Sequence, residues 1–176
     1  VLQRFGLGEP TGTGFPGERA GVLPSMSTWS DIEKVTLAFG YGLNATPIQL
    51  ARAYAILANG GIRRPLTLLK QDQDKLPAGQ QVIDPAIAED VLSVLRRVTE
   101  PGGTATLARV QGFSVGGKTG TVHKVGKGGY LDDQYVALFV GGAPMSQPRY
   151  VTAVLVDQPL GDHYGGGLAA APVYSR

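Results

Sequence analysis

The sequence predicts an α+β fold, with helices first and an antiparallel β-sheet after them. Three observations carry that reading. Capping signals and apolar stripes mark helices ahead of Pro101, and β-branched runs mark strands after Ser114. The link between about 142 and 149 is also too short for the dozen or more residues that a parallel crossover requires.

The elements follow in order. Residues 1–30 carry six glycines from Gly6 to Gly21 and three prolines, a density of breakers that predicts an extended, looped surface segment. The segment begins at Val1 without an initiator residue or targeting signal, so the chain reads as a piece of something longer. Asp31 to Phe39 forms a short helix that stops at Gly40-Tyr41-Gly42. Thr46-Pro47-Ile48-Gln49 opens a second helix, with Thr as N-cap, Pro at the first helical position and Gln closing a capping box. Its apolar positions (Ile48, Leu50, Ala51, Tyr54, Ala55, Leu57, Ala58) are spread widely enough to predict a buried helix, ended by Asn59-Gly60-Gly61.

Asp84-Pro85 starts a third helix in the same way. Ile87, Val91, Leu92, Leu95 and Val98 give it one apolar face, and Arg96 and Arg97 suit its negative end. Pro101-Gly102-Gly103 ends it, and Thr104 to Val110 can add one or two helical turns. Residues 115–125 then read as a strand, Gly126 to Gly129 as a loop, and Tyr135 to Val140 as an apolar strand. Tyr150 to Val156, dense in valine, reads as a strand buried on both faces. Leu168 to Val173 is too short to place.

Composition bounds the function. A chain of 176 residues with 43% hydrophobic and 17% charged residues suits one globular domain. A formal charge of +2, with no basic run, gives no footprint for nucleic acid. No cysteine is present, which excludes thiolate chemistry, and two histidines leave no clustered set of metal ligands, so no cofactor is expected. No apolar run is long enough to span a membrane.

The stretch from Val115 to Lys124 concentrates the chemistry, and three signatures can be read into it. Gly112-Phe113-Ser114-Val115-Gly116 matches the G-x-S-x-G nucleophile elbow, which Asp157 and His163 would complete in order. That elbow needs a helix directly after the serine, and glycines and a strand follow instead. Gly112 to Thr119 matches a phosphate loop, with the strand into Asp157 as a magnesium-site mimic. That loop needs a strand before it and a helix after it, and the sequence gives the reverse.

The third signature is Lys118-Thr119-Gly120, a K-T-G box. It falls on a strand that opens an antiparallel meander, a fitting edge for an extended peptide to join by strand addition. Gly120 removes a side chain that would block close approach. The Lys118 ammonium supplies positive potential for proton transfer and for an acidic substrate group, and the Thr119 hydroxyl can donate to a carboxylate. The Thr121 N–H is expected to point where an oxyanion forms. His123 reads as a strand residue facing solvent.

Beyond the box, Phe15-Pro16-Gly17-Glu18, Phe39-Gly40-Tyr41-Gly42, Thr46 through Tyr54, Ala58-Asn59-Gly60-Gly61, Gly102-Gly103-Thr104, Gly117 through Thr121, Phe139 to Pro144, Pro148-Arg149-Tyr150, Tyr164-Gly165-Gly166 and Ala171-Pro172-Val173 occur in order. This succession resembles class B penicillin-binding proteins over nearly the whole chain, and within them the division-specific transpeptidases. The resemblance implies a serine DD-transpeptidase fold, an antiparallel sheet flanked by helices, here incomplete. It implies acyl transfer from the D-Ala-D-Ala end of a peptidoglycan stem peptide, with β-lactams as substrate mimics. Lys118 and Thr119 would bind the substrate carboxylate and Thr121 would supply an oxyanion N–H. Gly120, His163, Tyr164 and Gly165 would border the substrate, His163 standing where relatives carry an aromatic residue.

The family also uses S-x-x-K and S-x-N boxes, and none of Ser25, Ser27, Ser30, Ser93, Ser114, Ser146 or Ser175 opens either. Residues 1–176 are therefore expected to be the C-terminal portion of the transpeptidase domain, inactive alone, with the nucleophile in the N-terminal portion that would be its first partner. The resemblance further implies cell-division proteins as partners, and a place on the periplasmic face of the bacterial inner membrane with the anchor outside this chain.

Overall fold

A computed structural model of the chain describes residues 1–25 and 29–176; residues 26–28, which hold Ser27 and fall in the predicted opening loop, lie outside the described residues. The described part of the opening segment is looped as expected, with one isolated bridge from Val22 to Asn44. Helix α1, Asp31–Leu37, starts at a reciprocal capping box between Ser30 and Glu33 and buries no residue.

Helix α2, Pro47–Ala58, begins as the sequence predicts: the Thr46 hydroxyl accepts from the Gln49 N–H, and the Gln49 carboxamide oxygen accepts from the Thr46 N–H. Gly60 and Gly61 close it in the left-handed region that glycine adopts without strain. The expectation of a helix buried all round needs correcting. Only Gln49, Arg52 and Ile56 are buried, because Ala51, Ala55 and Ala58 line an open groove of about 410 Å³ with Leu66, Leu68 and Tyr150.

Gln49 is fully buried and joins three segments. Beyond the capping box, its Nε2 donates to the carbonyls of Glu9 (2.8 Å) and Ala20 (2.7 Å), which pins the opening loop to α2. Gln49→Ala would leave both carbonyls and the Thr46 N–H without that partner, so we expect a loss of about 2–4 kcal/mol. The check is a lower urea midpoint at unchanged denaturant slope in the complete domain.

A two-stranded ribbon follows, β1 (Ile62–Arg63) against β2 (Gln80–Gln81). Helix α3, Pro85–Arg97, is capped by the Asp84 carboxylate, which accepts from the Ala86 N–H. Val91, Leu92, Leu95 and Val98 are half-buried as its predicted face requires, whereas Ile87 is exposed. The predicted extra turns reduce to one 3-10 turn, Thr106–Ala108.

The main sheet has the order β3-β4-β5, antiparallel throughout: β3 Gly116–Gly126, β4 Gly129–Ala143 and β5 Tyr150–Asp157. The predicted loop at 126–129 is a tight turn at Lys127 and Gly128, so β4 starts six residues before the expected Tyr135. Helices α2 and α3 pack on one face, and the C-terminal helices α4 (Gly166–Ala169) and α5 (Ala171–Tyr174) pack on the other. The core of this second face holds Phe139, Ala105, Ala108, Ala170 and Ala171, with Tyr174 edge-on to Phe139. A smaller core joins Phe5, Ile56 and Val82. β5 is not buried on both faces as expected: none of its residues is fully buried, and Tyr150 and Leu155 are exposed. Its valines mark sheet propensity, and among the described residues nothing pairs with its outer edge.

Candidate active site

β3 forms the other edge of the sheet, and the K-T-G box lies on it. Lys118 is exposed, and its Nζ donates to the Thr119 carbonyl (3.0 Å) and the Thr119 hydroxyl (3.2 Å). The Thr119 hydroxyl donates in turn to the Thr104 hydroxyl at 3.2 Å. A cation and two hydroxyls thus form one continuous donor array on an open edge, a geometry suited to gripping an anionic group. Thr104 carries no chemistry in the sequence reading; its contact depends on the turn after α3 folding back onto β3.

The C-terminal segment holds this edge in place. The Gly166 N–H donates to the Thr121 hydroxyl at 3.0 Å. A Cβ at Gly166 would collide with the carbonyls of Leu138 and Gly120, and one at Gly167 with the carbonyl of Thr104. Only glycines let the start of α4 wedge between β3 and the Thr104 turn. Gly165 lies near the Thr121 hydroxyl. On the opposite face of β3, the space left by Gly120 is taken by Leu138, whose Cγ would lie 2.8 Å from an added Cβ.

Beside the array runs a row of aromatic rings. Tyr164 stacks on Tyr135 at 4.1 Å between centroids, and Tyr135 contacts His123 at 4.5 Å. The row continues to Tyr130 (6.3 Å from His123), then Tyr41, then Phe39. His123 is therefore half-buried among tyrosines, with Nδ1 3.3 Å from the Leu131 carbonyl, and does not simply face solvent. The strand register pairs His123 directly with Tyr135, which places both rings on one face. His163 is exposed next to the row. Desolvation first, then the Tyr164 phenol and the carboxylates of Asp133 and Asp132, raise the pKa of Tyr135, so its hydroxyl stays protonated at neutral pH.

The rejected motifs do not assemble. Ser114 lies by the start of β3, its hydroxyl accepting from the Ser146 N–H. Asp157 pairs with Lys124 and aligns with Val136, so β4 separates it from Ser114 by roughly 20 Å. The Gly112–Thr119 stretch has a 3-10 turn before it and a strand after it, the reverse of a phosphate loop. A cavity of about 630 Å³ lies under residues 109–115 and is lined by none of the K-T-G side chains. The donor array therefore borders an open edge.

A family model described as the penicillin binding protein transpeptidase domain matches residues 1–176. The probable peptidoglycan D,D-transpeptidase PenA of Neisseria gonorrhoeae is 43% identical over 172 residues, covering 98% of this chain and 29% of that protein. The peptidoglycan D,D-transpeptidase FtsI of Escherichia coli K12 is 43% identical over 174 residues, covering 99% of the chain and again 29% of the relative. The solved transpeptidase domain of penicillin-binding protein 3 from Burkholderia pseudomallei superposes with a TM-score of 0.92 at 43% identity, over 99% of this chain and 53% of that one. The chain thus spans less than a third of these relatives and about half of the solved domain. On these matches, and on an antiparallel sheet flanked by helices that superposes on the solved domain, the chain belongs to the penicillin-binding protein transpeptidase family.

Proposed function

We propose that this chain supplies the K-T-G wall of a peptidoglycan D,D-transpeptidase that acts at the division septum and is acylated by β-lactams. The observation that carries the reading is the Lys118–Thr119–Thr104 array on an open strand edge, in a chain 43% identical to proteins named as such transpeptidases. A serine from the N-terminal portion of the domain attacks the carbonyl of the penultimate D-Ala. The peptide C–N bond breaks, terminal D-Ala leaves with a proton on its amine, and an ester to the serine remains. An amine from a second stem peptide then attacks the ester and restores the serine hydroxyl.

In this sequence of steps Lys118 and Thr119 hold the substrate's terminal carboxylate, and Thr104 fixes the Thr119 hydroxyl. The Thr121 N–H stabilises the oxyanion, where one such donor is worth about 3–4 kcal/mol. Gly120 lets the substrate backbone lie along β3, and His163, Tyr164 and Gly165 close its flank. The partners are stem peptides, β-lactams, the N-terminal portion of the domain and cell-division proteins. The location is the periplasmic face of the inner membrane, with the anchor elsewhere in the protein; among the described residues no helix is long and apolar enough to cross a membrane.

Fluorescent penicillin followed by denaturing mass measurement tests the reading. The complete protein should carry one label on a serine outside this chain, and the isolated chain should carry none. Label on a serine within the chain would overturn the claim that the nucleophile lies outside it and would bring Ser114 back into question, whereas a folded complete protein that takes no label would leave a non-catalytic binding module as the better description.

A further inference from the structure

Away from the catalytic edge, three arginines line a single cavity of about 460 Å³. Arg52 comes from α2, and Arg63 and Arg64 come from β1 and the residue after it; Thr11 and Gln80 add polar lining. The ribbon register sets Arg63 opposite Gln80, and Arg64 follows directly after the strand.

The charges here are not balanced. Arg52 is 3% exposed, and its Nε is a buried side-chain donor with no hydrogen-bond partner among the described residues. A buried N–H of an ionised group left in that state is costly. Its Nη2 donates to the Gly6 carbonyl and lies 3.9 Å from Glu9. Glu9 itself pairs closely with Arg63. Glu18, the other nearby carboxylate, spends Oε1 on the N–H and hydroxyl of Thr11 and Oε2 on the hydroxyl of Thr13. Arg64 is exposed and, among the described residues, makes one bond, from Nη1 to the Pro77 carbonyl at 2.7 Å. Glu9 therefore pairs with Arg63 and approaches Arg52, and among the described residues no carboxylate lies within ion-pair distance of Arg64. Desolvation, then repulsion from Arg63, lowers the Arg52 pKa, with Glu9 and Glu18 opposing.

We propose that this cavity is an oxyanion site for a phosphate-class dianion, gripped by Arg63 and Arg64 with Arg52 behind them. Guanidinium forks match phosphate oxygens two at a time. The three guanidiniums outnumber the carboxylates of Glu9 and Glu18, and an anion with three or more acceptor oxygens can meet two forks at once, which favours phosphate over a single carboxylate. The site is independent of the Lys118 array and of the acyl-transfer reading.

The experiment is a calorimetric titration of the complete protein in phosphate-free buffer at low salt, with inorganic phosphate and, separately, glycerol phosphate. Saturable binding of either supports the site; tighter binding of the ester points to a phosphorylated polymer or headgroup as the source, and equal binding to free phosphate. Arg64→Gln, at an exposed position where the fold is not at stake, should weaken binding at least tenfold and leave penicillin labelling unchanged. Three results overturn the proposal: no saturable binding, an unchanged affinity in Arg64→Gln, or displacement by chloride at equal ionic strength as effective as by phosphate.

Discussion

Replacing Lys118 by alanine in the complete domain is expected to lower the second-order rate of acylation by penicillin about 10²- to 10³-fold. The side chain is exposed and its two hydrogen bonds run only to Thr119, so folding stability should stay within about 0.5 kcal/mol of the parent. The loss is electrostatic. Lys118 provides the point charge of the array, and an anionic group arriving at β3 meets it directly. Without it the Thr119 hydroxyl keeps Thr104 as its acceptor but loses the neighbouring cation. A loss of about 3–4 kcal/mol of transition-state stabilisation follows from removing one preorganised donor of this kind. Lys118→Arg should restore only part of the rate, because a planar fork does not replace a compact ammonium. Stopped-flow measurement of acylation decides the matter. A rate within threefold of the parent would mean that the array holds structure and not substrate.

Phe139→Ala is expected to cost about 4–5 kcal/mol of stability, toward the upper end of what deleting a buried aromatic ring costs. Phe139 has no exposed surface and lies on the central strand of the sheet. Four of the residues around it are alanines, Ala105, Ala108, Ala170 and Ala171. Alanines have no side-chain freedom with which to fill the hole, so the cavity persists and its cost is not recovered. Tyr174 would also lose its edge-on partner at 4.9 Å, a contact worth about 0.5–1.5 kcal/mol beyond area. The urea midpoint of the complete domain should fall by roughly 1–2 M. Since Phe139 is the register partner of Thr119, acylation should slow as well, though less than in Lys118→Ala. A stability loss under about 1 kcal/mol would show that α4 and α5 do not seal this face.

What could be read from the sequence was local. The capping box at Thr46 and the Asp84-Pro85 start involve residues within one turn of each other, so these helix starts appear in the chain order itself; the Ser30 box is equally local but was not read. The antiparallel order of the sheet followed from one short link. The ribbon of β1 and β2 was missed because strands of two residues carry no periodicity. The length of β4 was missed because polar residues such as Asp132 and Asp133 precede its apolar half. Valine density misled on β5, since it reports strand propensity and says nothing of what covers the strand. At the site, the K-T-G box could be picked out because its neighbours fail the rival motifs. Thr104 and the stack of His123, Tyr135 and Tyr164 could not, because a turn, a register and a distant loop bring those groups together.

The two bare flanks of the sheet have a practical consequence. Among the described residues nothing pairs with the outer side of β3 or of β5, and the backbone donors and acceptors along such sides are templates for recruiting further strands. Prepared alone, the polypeptide would satisfy them by self-association, so that its colloidal behaviour, more than its melting point, would report whether its other half is present. Gel filtration over a dilution series would then show mass growing with concentration, and a preparation that includes the rest of the domain would elute at one size.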